Sequence, residues 1–426
     1  EDDVPALYSG RKQLRYERAL ADVKRAGLAR RDARCTFFVK AEKVNPRAKV
    51  NPDPRAIQFR NPRYSVVLAS YLKPIEHHIY ALSGDGKTLP RGRLVGKGLS
   101  QGGRARLLRR KWCEMRKPVA VVLDASRFDK HVSLELLRIE HAVYLASNHD
   151  PRFAKLLSWQ LRNTVKSRLG VSYKTRGRRM SGDMNTAVGN CVLMIVMVVT
   201  AMRALGVSAS DYNILDDGDD CVLLLEVEHL SRVLDGIHSE FLGYGMVVKV
   251  ESVTHDFECI DWCQSSPVNS ANGWMMVRNP TKILCTALVG SKYMQPNARA
   301  KLVNTIGLAE GILNQGVPVL QAYAHALQRN SGTTDSLTLD PTDDMWYRLN
   351  REGVRGKLER RARVAIPAET RLGFAKSFGI SPRRQVEIEE SLDAWCFAIQ
   401  GDTRLPQEFS DKQWPERQSR TVDVYC

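Results

Sequence analysis

The alternation of apolar and polar positions sorts the chain into buried strands, amphipathic helices and basic loops. "VAVVLD", residues 119–124, is a β-branched run ending on a carboxylate and predicts a buried strand. "VSLELLRIEHAVYLAS" (132–147) places Leu134, Leu137, Val143 and Leu145 at helical spacing. Val188 to Met202 is apolar almost throughout and predicts a buried helix over 186–203. "YNILDDGDDCVLLLEV" (212–227) sets two apolar runs around an acidic turn, the pattern of a β-hairpin. Residues 10–30 read as a basic helix, while prolines at 46, 52, 54 and 62 break residues 35–65 into extended loops or edge strands. Residues 84–103 and "YKTRGRRMSGD" (173–183) read as basic loops, and the chain beyond about 285 as mainly helical, interrupted at 330–344.

Length and charge narrow the class. At roughly 150 residues per domain, 426 residues suggest about three domains. A composition of 43% hydrophobic and 26% charged residues excludes a disordered tail, a collagen-like fibre and a disulfide-dense mini-protein. The net charge of +17 lies wholly in residues 1–118, which hold 28 Lys/Arg against 11 Asp/Glu; the remainder is neutral. A basic segment of that kind favours a polyanionic partner, nucleic acid before acidic membrane, over a merely solubilising surface.

Nine scattered cysteines without a CxxC pair or zinc-site spacing predict reduced thiols in a cytoplasm-like compartment. The longest apolar run, about 15 residues, falls short of the roughly 20 needed to cross a bilayer, so no transmembrane segment is expected. The chain opens Glu1-Asp2-Asp3 without a methionine or signal peptide, which fits a fragment or processed product.

Three stretches carry chemistry. Asp217-Gly218-Asp219-Asp220 places adjacent carboxylates at a tight turn between strands, a hard-oxygen site suited to Mg²⁺, although Asp-Gly is also a common hairpin turn. Asp124 at the end of a second strand, with Asp129 five residues on, adds a separate source of carboxylates. Two such sources can hold a metal pair about 3.5–4 Å apart, the geometry of in-line displacement at phosphorus. In "SGDMNTAVGN" (181–190), Ser-Gly at a helix mouth offers free backbone N–H groups. Thr186 and Asn190, four apart, share one helix face where small polar groups could meet sugar hydroxyls. An ordinary helix cap reads the same way.

"DASRFDKHVS" (124–133), "SGDMNTAVGN" (181–190) and "LDDGDDCVL" (215–223) together resemble the ordered palm motifs of viral RNA-dependent RNA polymerases, and the tombusvirus-like positive-strand RNA virus group in particular. "FVKAEKV" with "PRAIQFR" resembles that group's basic fingers motif, and "IDWCQSSPV" with "MMVRNP" its primer-grip region. The resemblance runs from about residue 36 to 290.

It implies an α+β right hand with a small antiparallel palm sheet: fingers at 1–92 and 132–183, palm at 93–131 and 184–279, and a mainly helical thumb at 280–426. It implies Asp124 and Asp219 as ligands of two Mg²⁺ ions (Mn²⁺ a substitute), with Asp220 beside them. Asp129, Ser181, Thr186 and Asn190 would select the ribose 2′-hydroxyl, and Lys40, Lys43 and Arg55 would neutralise the triphosphate. Cys263, Gln264 and Ser265 would support the nascent 3′ end. Lys249 is a candidate general acid for pyrophosphate, or a solvated strand lysine. Template and nascent RNA, NTPs and a viral membrane-anchored replication protein are the implied partners. The expected location is the host cytoplasm at membrane-associated replication complexes. The basic residues of 1–118 and the "KTRGRR" loop would track template phosphates.

The hairpin departs from the group's pattern, with acids at both 216 and 217 where an uncharged residue is usual. Four acids in five positions repel unless a metal or a basic side chain lies near. Two rivals stand beside this reading. A reverse transcriptase needs a bulky aromatic near position 129, where this chain has an acid. A non-catalytic RNA-binding protein needs only the basic charge.

Overall fold

The structure, a computed structural model, describes residues 1–40, 42, 52–289, 293, 295–339, 344–354 and 356–399. The chain divides into two compact units. Unit one is residues 1–40, 55–98 and 107–263; unit two is 41–54, 99–106 and 264–426.

In chain order the elements are α1 (Gly10–Ala26), β1 (Cys35–Val39), β2 (Ala56–Arg60), α2 (Pro62–Tyr80), β3 (Ser83–Gly84) and β4 (Gly92–Arg93). Next come α3 (Gln101–Cys113), β5 (Pro118–Ala125), α4 (Phe128–His131), α5 (Leu134–Ser147) and α6 (Pro151–Ser158). Then follow β6 (Arg162–Ser167), β7 (Ser172–Arg176), α7 (Thr186–Ala204), β8 (Tyr212–Asp216), β9 (Asp220–Glu226), α8 (Leu230–Gly243) and β10 (Val248–Thr254). Unit two continues with β11 (Ser265–Ser270), β12 (Gly273–Arg278), α9 (Pro280–Thr286), α10 (Pro296–Leu313), α11 (Leu320–Asn330), α12 (Asp344–Arg351), α13 (Ala368–Phe378) and α14 (Pro382–Ala394). Four helices begin by one device. Asn61, Asp150, Asn279 and Ser381 accept a backbone N–H of the first turn, and a proline follows each where no N–H is required.

Unit one contains two four-stranded sheets. One runs β2-β1-β6-β7, with β1 parallel to β6, and the other is antiparallel in the order β10-β5-β9-β8. The period of two along a strand sorts the second sheet's faces. Val119, Val121 and Leu123 of β5, Cys221, Leu223 and Leu225 of β9, and Tyr212 and Ile214 of β8 share one buried cluster with α7 and α8. Asp124 and Asp220 have the opposite parity and stand directly across from each other, on the other face. Asp216 has the parity of Tyr212 and Ile214, so it turns toward the helix-packed core and is fully buried. The predicted strand, hairpin and helices are all present, and the fold is mixed helix and strand with small sheets.

Several expectations change. Residues 84–103 are not a continuous loop, since β3, β4 and the start of α3 lie there. The "KTRGRR" stretch is partly β7, and Arg179 within it is buried, as are Arg60 and Lys111 of the basic N-terminal segment. These three basic side chains are structural, so the charge available to a polyanion is smaller than the formal count. Lys111 donates to the Arg91 carbonyl at 2.9 Å and to Asn213 Oδ1 at 2.5 Å, and burial pushes its amine down to about 7. Helix α7 is 19 residues, long and apolar enough to cross a membrane by length and composition, yet it is mostly buried as the core helix of unit one. The eight described cysteines are all free thiols.

Unit two has its own core. Val268 and Val277 of the β11–β12 hairpin pack with residues of α9, α10, α11 and α13. Arg278 is anchored to Glu310 of α10 at 2.6 Å.

Candidate active site

One end of unit one's antiparallel sheet, beside the β8–β9 turn, brings three predicted side chains into one row. Asp124 on β5 pairs in register with Asp220 on β9 and with Lys249 on β10. Asp219 is joined through its carbonyl, which accepts the Ala125 N–H at 3.1 Å. Gly218 makes the turn with φ 104°, a backbone that favours glycine. Asp219 and Lys249 are exposed, and Asp124 and Asp220 half-buried.

Four acids crowd this hairpin, and the fold handles each differently. Asp216 is sealed in the core. Its Oδ1 accepts the Gly218 N–H at 3.1 Å, the Cys191 thiol lies against it, and burial drives its carboxyl well above the usual carboxylate range. Asp217 pairs with Lys97, whose Nζ lies 2.5 Å from Oδ1 and 2.7 Å from the Asp217 carbonyl. Burial would lower the Lys97 amine, but Asp217 outweighs it and holds Lys97 charged. Asp219 faces solvent. Asp220 is pushed up to about 6 by burial and by the neighbouring Asp219 and Asp124 carboxylates. The repulsion read from the sequence is thus met in part by burying Asp216 and by pairing Asp217 with Lys97, while Asp220 still feels Asp219 and Asp124.

That donor set fits a hard divalent cation: all oxygen, anionic, and concentrated enough to hold a proton against its usual tendency. Among the described residues, no three His, Cys, Asp or Glu side chains are already closed around one point. The fit therefore rests on register and like-charge crowding.

A second group lies at the start of α7. Asn190 Nδ2 donates to Asp129 Oδ1 at 3.0 Å, so these two predicted sugar contacts do meet. Burial raises the Asp129 carboxyl, against the opposing pull of Asn190 and Arg179. Ser181 and Thr186 are engaged elsewhere. The Ser181 hydroxyl, with one proton to give, lies 3.2 Å from the Ala56 carbonyl and 2.9 Å from Gln58 Oε1, and the Thr186 hydroxyl donates to the Met180 carbonyl at 3.0 Å. The Ser-Gly pair is not a helix mouth with free N–H groups. Helix α7 starts later, and the Gly182 N–H donates to the Gln58 carbonyl at 2.6 Å. A Cβ at Gly182 would strike that carbonyl, so the close approach this glycine permits is to β2.

The remaining predicted residues scatter. The Lys40 N–H donates to the Arg55 carbonyl at 2.8 Å, placing both at the open end of the β1–β2 pair; Lys43 lies outside the described residues. Cys263 Sγ donates to Asp217 Oδ2 at 3.6 Å, reaching the acidic hairpin. Gln264 and Ser265 belong to unit two, where the Gln264 carbonyl accepts the Asn279 N–H at 3.1 Å and Ser265 opens β11 opposite Arg278. Cys263 and Gln264 both adopt left-handed backbone, with φ 53° and 58°, a strained pair of non-glycine residues at the unit boundary.

Sequence reasoning missed Lys97 and Trp262. Trp262 Nε1 donates to the Asp220 carbonyl at 3.3 Å, and its ring closes on Gly96, where a Cβ would collide. The signal for Lys97 was the unexplained acid at 217.

With this geometry in hand, the chain's relatives are informative. Residues 1–400 match the family described as viral RNA dependent RNA polymerase, and the chain belongs to it. The RNA-directed RNA polymerase of Turnip crinkle virus is 34% identical over 421 residues, covering 96% of this chain and 52% of that protein. Those of Tobacco necrosis virus (strain A) and Cymbidium ringspot virus are 37% and 35% identical, covering 90% and 92% of this chain and 52% and 47% of theirs. The chain spans about half the length of these relatives. The resemblance to the tombusvirus-like group is borne out.

Proposed function

We propose that the chain catalyses template-directed RNA synthesis, with the 3′-hydroxyl of the growing strand attacking the α-phosphate of an NTP in line and pyrophosphate leaving. The observation that carries this reading is the register of Asp124 against Asp220, beside exposed Asp219, with Asp220 held up to about 6 by its acidic neighbours. Asp124, Asp219 and Asp220 would hold Mg²⁺, or Mn²⁺ in its place. Bound divalent cations supply charge stabilisation at the attacking and leaving oxygens.

The chain's own residues do the rest. Asp129 and Asn190 form one polar surface toward the ribose, and Ser181 and Thr186 support it from the β2 side and the start of α7. Lys40, Lys43 and Arg55 draw in the triphosphate. Lys249, across the sheet from Asp124, delivers a proton to departing pyrophosphate. Cys263, Gln264 and Ser265 back the nascent 3′ end. In this reading the fingers are 1–92 and 132–183, the palm 93–131 and 184–279, and the thumb 280–426. Exposed basic residues hold RNA through its backbone, so binding weakens steeply with salt. A viral membrane-anchored replication protein brings the chain to replication complexes in the host cytoplasm.

The test is incorporation of labelled NTPs into template-length RNA with Mg²⁺, for the chain and for Asp219→Ala. Template-dependent product that disappears in the variant supports the reading. RNA binding without synthesis from either protein, with or without a supplied primer, overturns it in favour of a non-catalytic RNA-binding role.

A further inference from the structure

Behind Asp129 runs an unbroken line of buried polar side chains. Arg179 Nε donates to Asn190 Oδ1 at 2.9 Å, while its two terminal nitrogens fork onto Glu140 at 3.0 and 2.5 Å. Tyr144 and Asn185 also donate to Glu140 Oε1, at 2.8 and 2.6 Å. Arg179 and Glu140 are both almost fully buried. The Arg179 backbone joins in, its N–H donating to the Asp129 carbonyl at 3.0 Å. Glycine at 189, in the middle of α7, is explained by the same group: a Cβ there would strike both Glu140 and Arg179. A helix-interior glycine costs about 1 kcal/mol relative to alanine, and here it makes room for the ion pair.

A guanidinium has donors and no acceptor. The Asn190 oxygen must therefore face Arg179, and its NH₂ must face Asp129. With Arg179 absent or turned away, the amide can flip and bring its oxygen against the Asp129 carboxylate, where the contact is repulsive. We propose that Arg179, held in its fork by Glu140, is a positioning residue for sugar selection. It fixes the Asn190 amide as a donor to Asp129 Oδ1 and leaves Oδ2 to accept from a ribose 2′-hydroxyl. This rests on the reading of Asp129 and Asn190 as ribose contacts. The basic-loop arginine expected to track template phosphate acts instead from inside the protein.

The experiment compares kcat/KM for ATP and dATP on a primed RNA template, using the chain, Asn190→Ala, Arg179→Lys and Tyr144→Phe. Both substrates are read on one preparation, so a purely structural loss lowers both values and leaves their ratio unchanged. Asn190→Ala loses ribose preference. Arg179→Lys, which cannot fork onto Glu140 and reach Asn190 together, loses about tenfold of the ratio. Tyr144→Phe removes one hydroxyl donor from Glu140, keeps the ring, and shifts the ratio the same way by about twofold. An unchanged ratio in Arg179→Lys beside a lost one in Asn190→Ala overturns the role of Arg179 and keeps the ribose reading. Unchanged ratios in both overturn the ribose reading and this inference with it. Should Arg179→Lys not fold, Tyr144→Phe decides alone, and an unchanged ratio there overturns the proposal.

Discussion

At the tip of the β8–β9 hairpin, Asp219 and Asp220 stand beside Asp124, and the nearby Lys97 is spent on Asp217. Beneath Asp129, by contrast, Glu140 holds Arg179 in a two-point fork, and Asp183 holds Arg60 the same way at 2.5 and 2.9 Å. Both regions gather carboxylates within one unit. In the second, each of these carboxylates meets a guanidinium in the interior, and Arg179 keeps Glu140 below the usual range against the opposite pull of burial. In the first, the fold leaves negative charge crowded at the surface and Asp220 rises to about 6. Charge paired in the interior is architecture. Like charges crowded at a surface, kept at a cost to stability, are a place for a ligand of opposite sign.

The contrast predicts opposite responses to losing an acid. Asp124→Asn or Asp219→Ala lowers RNA synthesis by on the order of a thousandfold or more. For Asp219→Ala the urea midpoint stays put or rises, because a repulsive neighbour of Asp220 is gone. Glu140→Leu strands the Arg179 guanidinium in the core and destabilises the protein by about 3–5 kcal/mol in urea unfolding. If the two kinds of variant lose stability equally, the distinction fails. Lys97→Met exposes Asp217 to its acidic neighbours and costs about 2 kcal/mol by the same measurement. It also moves the Asp220 titration further up, readable by carboxyl NMR. The smallest effect is on pH dependence. In the proposed site Mg²⁺ would displace the Asp220 proton, so its affinity, followed by calorimetry, rises with pH toward about 6 and levels off above it. Asp220→Asn flattens that slope. The sign for folding is the reverse. The folded carboxyl holds its proton to about 6 against 3.8 for an ordinary aspartate, so this contribution is complete below pH 4 and lost as pH rises through 6.

Strand β5, the hairpin and helix α7 were legible because hydrophobic alternation and turn chemistry are local. The parity argument extends that legibility further than the motifs do, since Asp216 and Asp220 fall on opposite sheet faces by counting alone. Arg179 was read as surface charge because neighbouring basic residues look alike in sequence, and its partner Glu140 lies 39 residues away. Lys97 sits 120 residues from Asp217, and the acid at 217 announced that a cation was needed without saying which. Ser181 was read as facing a ligand; its bonds to Ala56 and Gln58, more than 120 residues earlier, come from tertiary pairing that no local pattern encodes.

Lys111 carries a consequence of a different kind. An amine brought down to about 7 is partly unprotonated at neutral pH and so nucleophilic, yet its nitrogen is held by Arg91 and Asn213 inside unit one. An acylating reagent can reach it when the segment opens, and the labelling rate then becomes a clock for that opening. The protein thus carries its own chemical stopwatch, one that needs no engineered residue and slows wherever the segment around Lys111 is held closed.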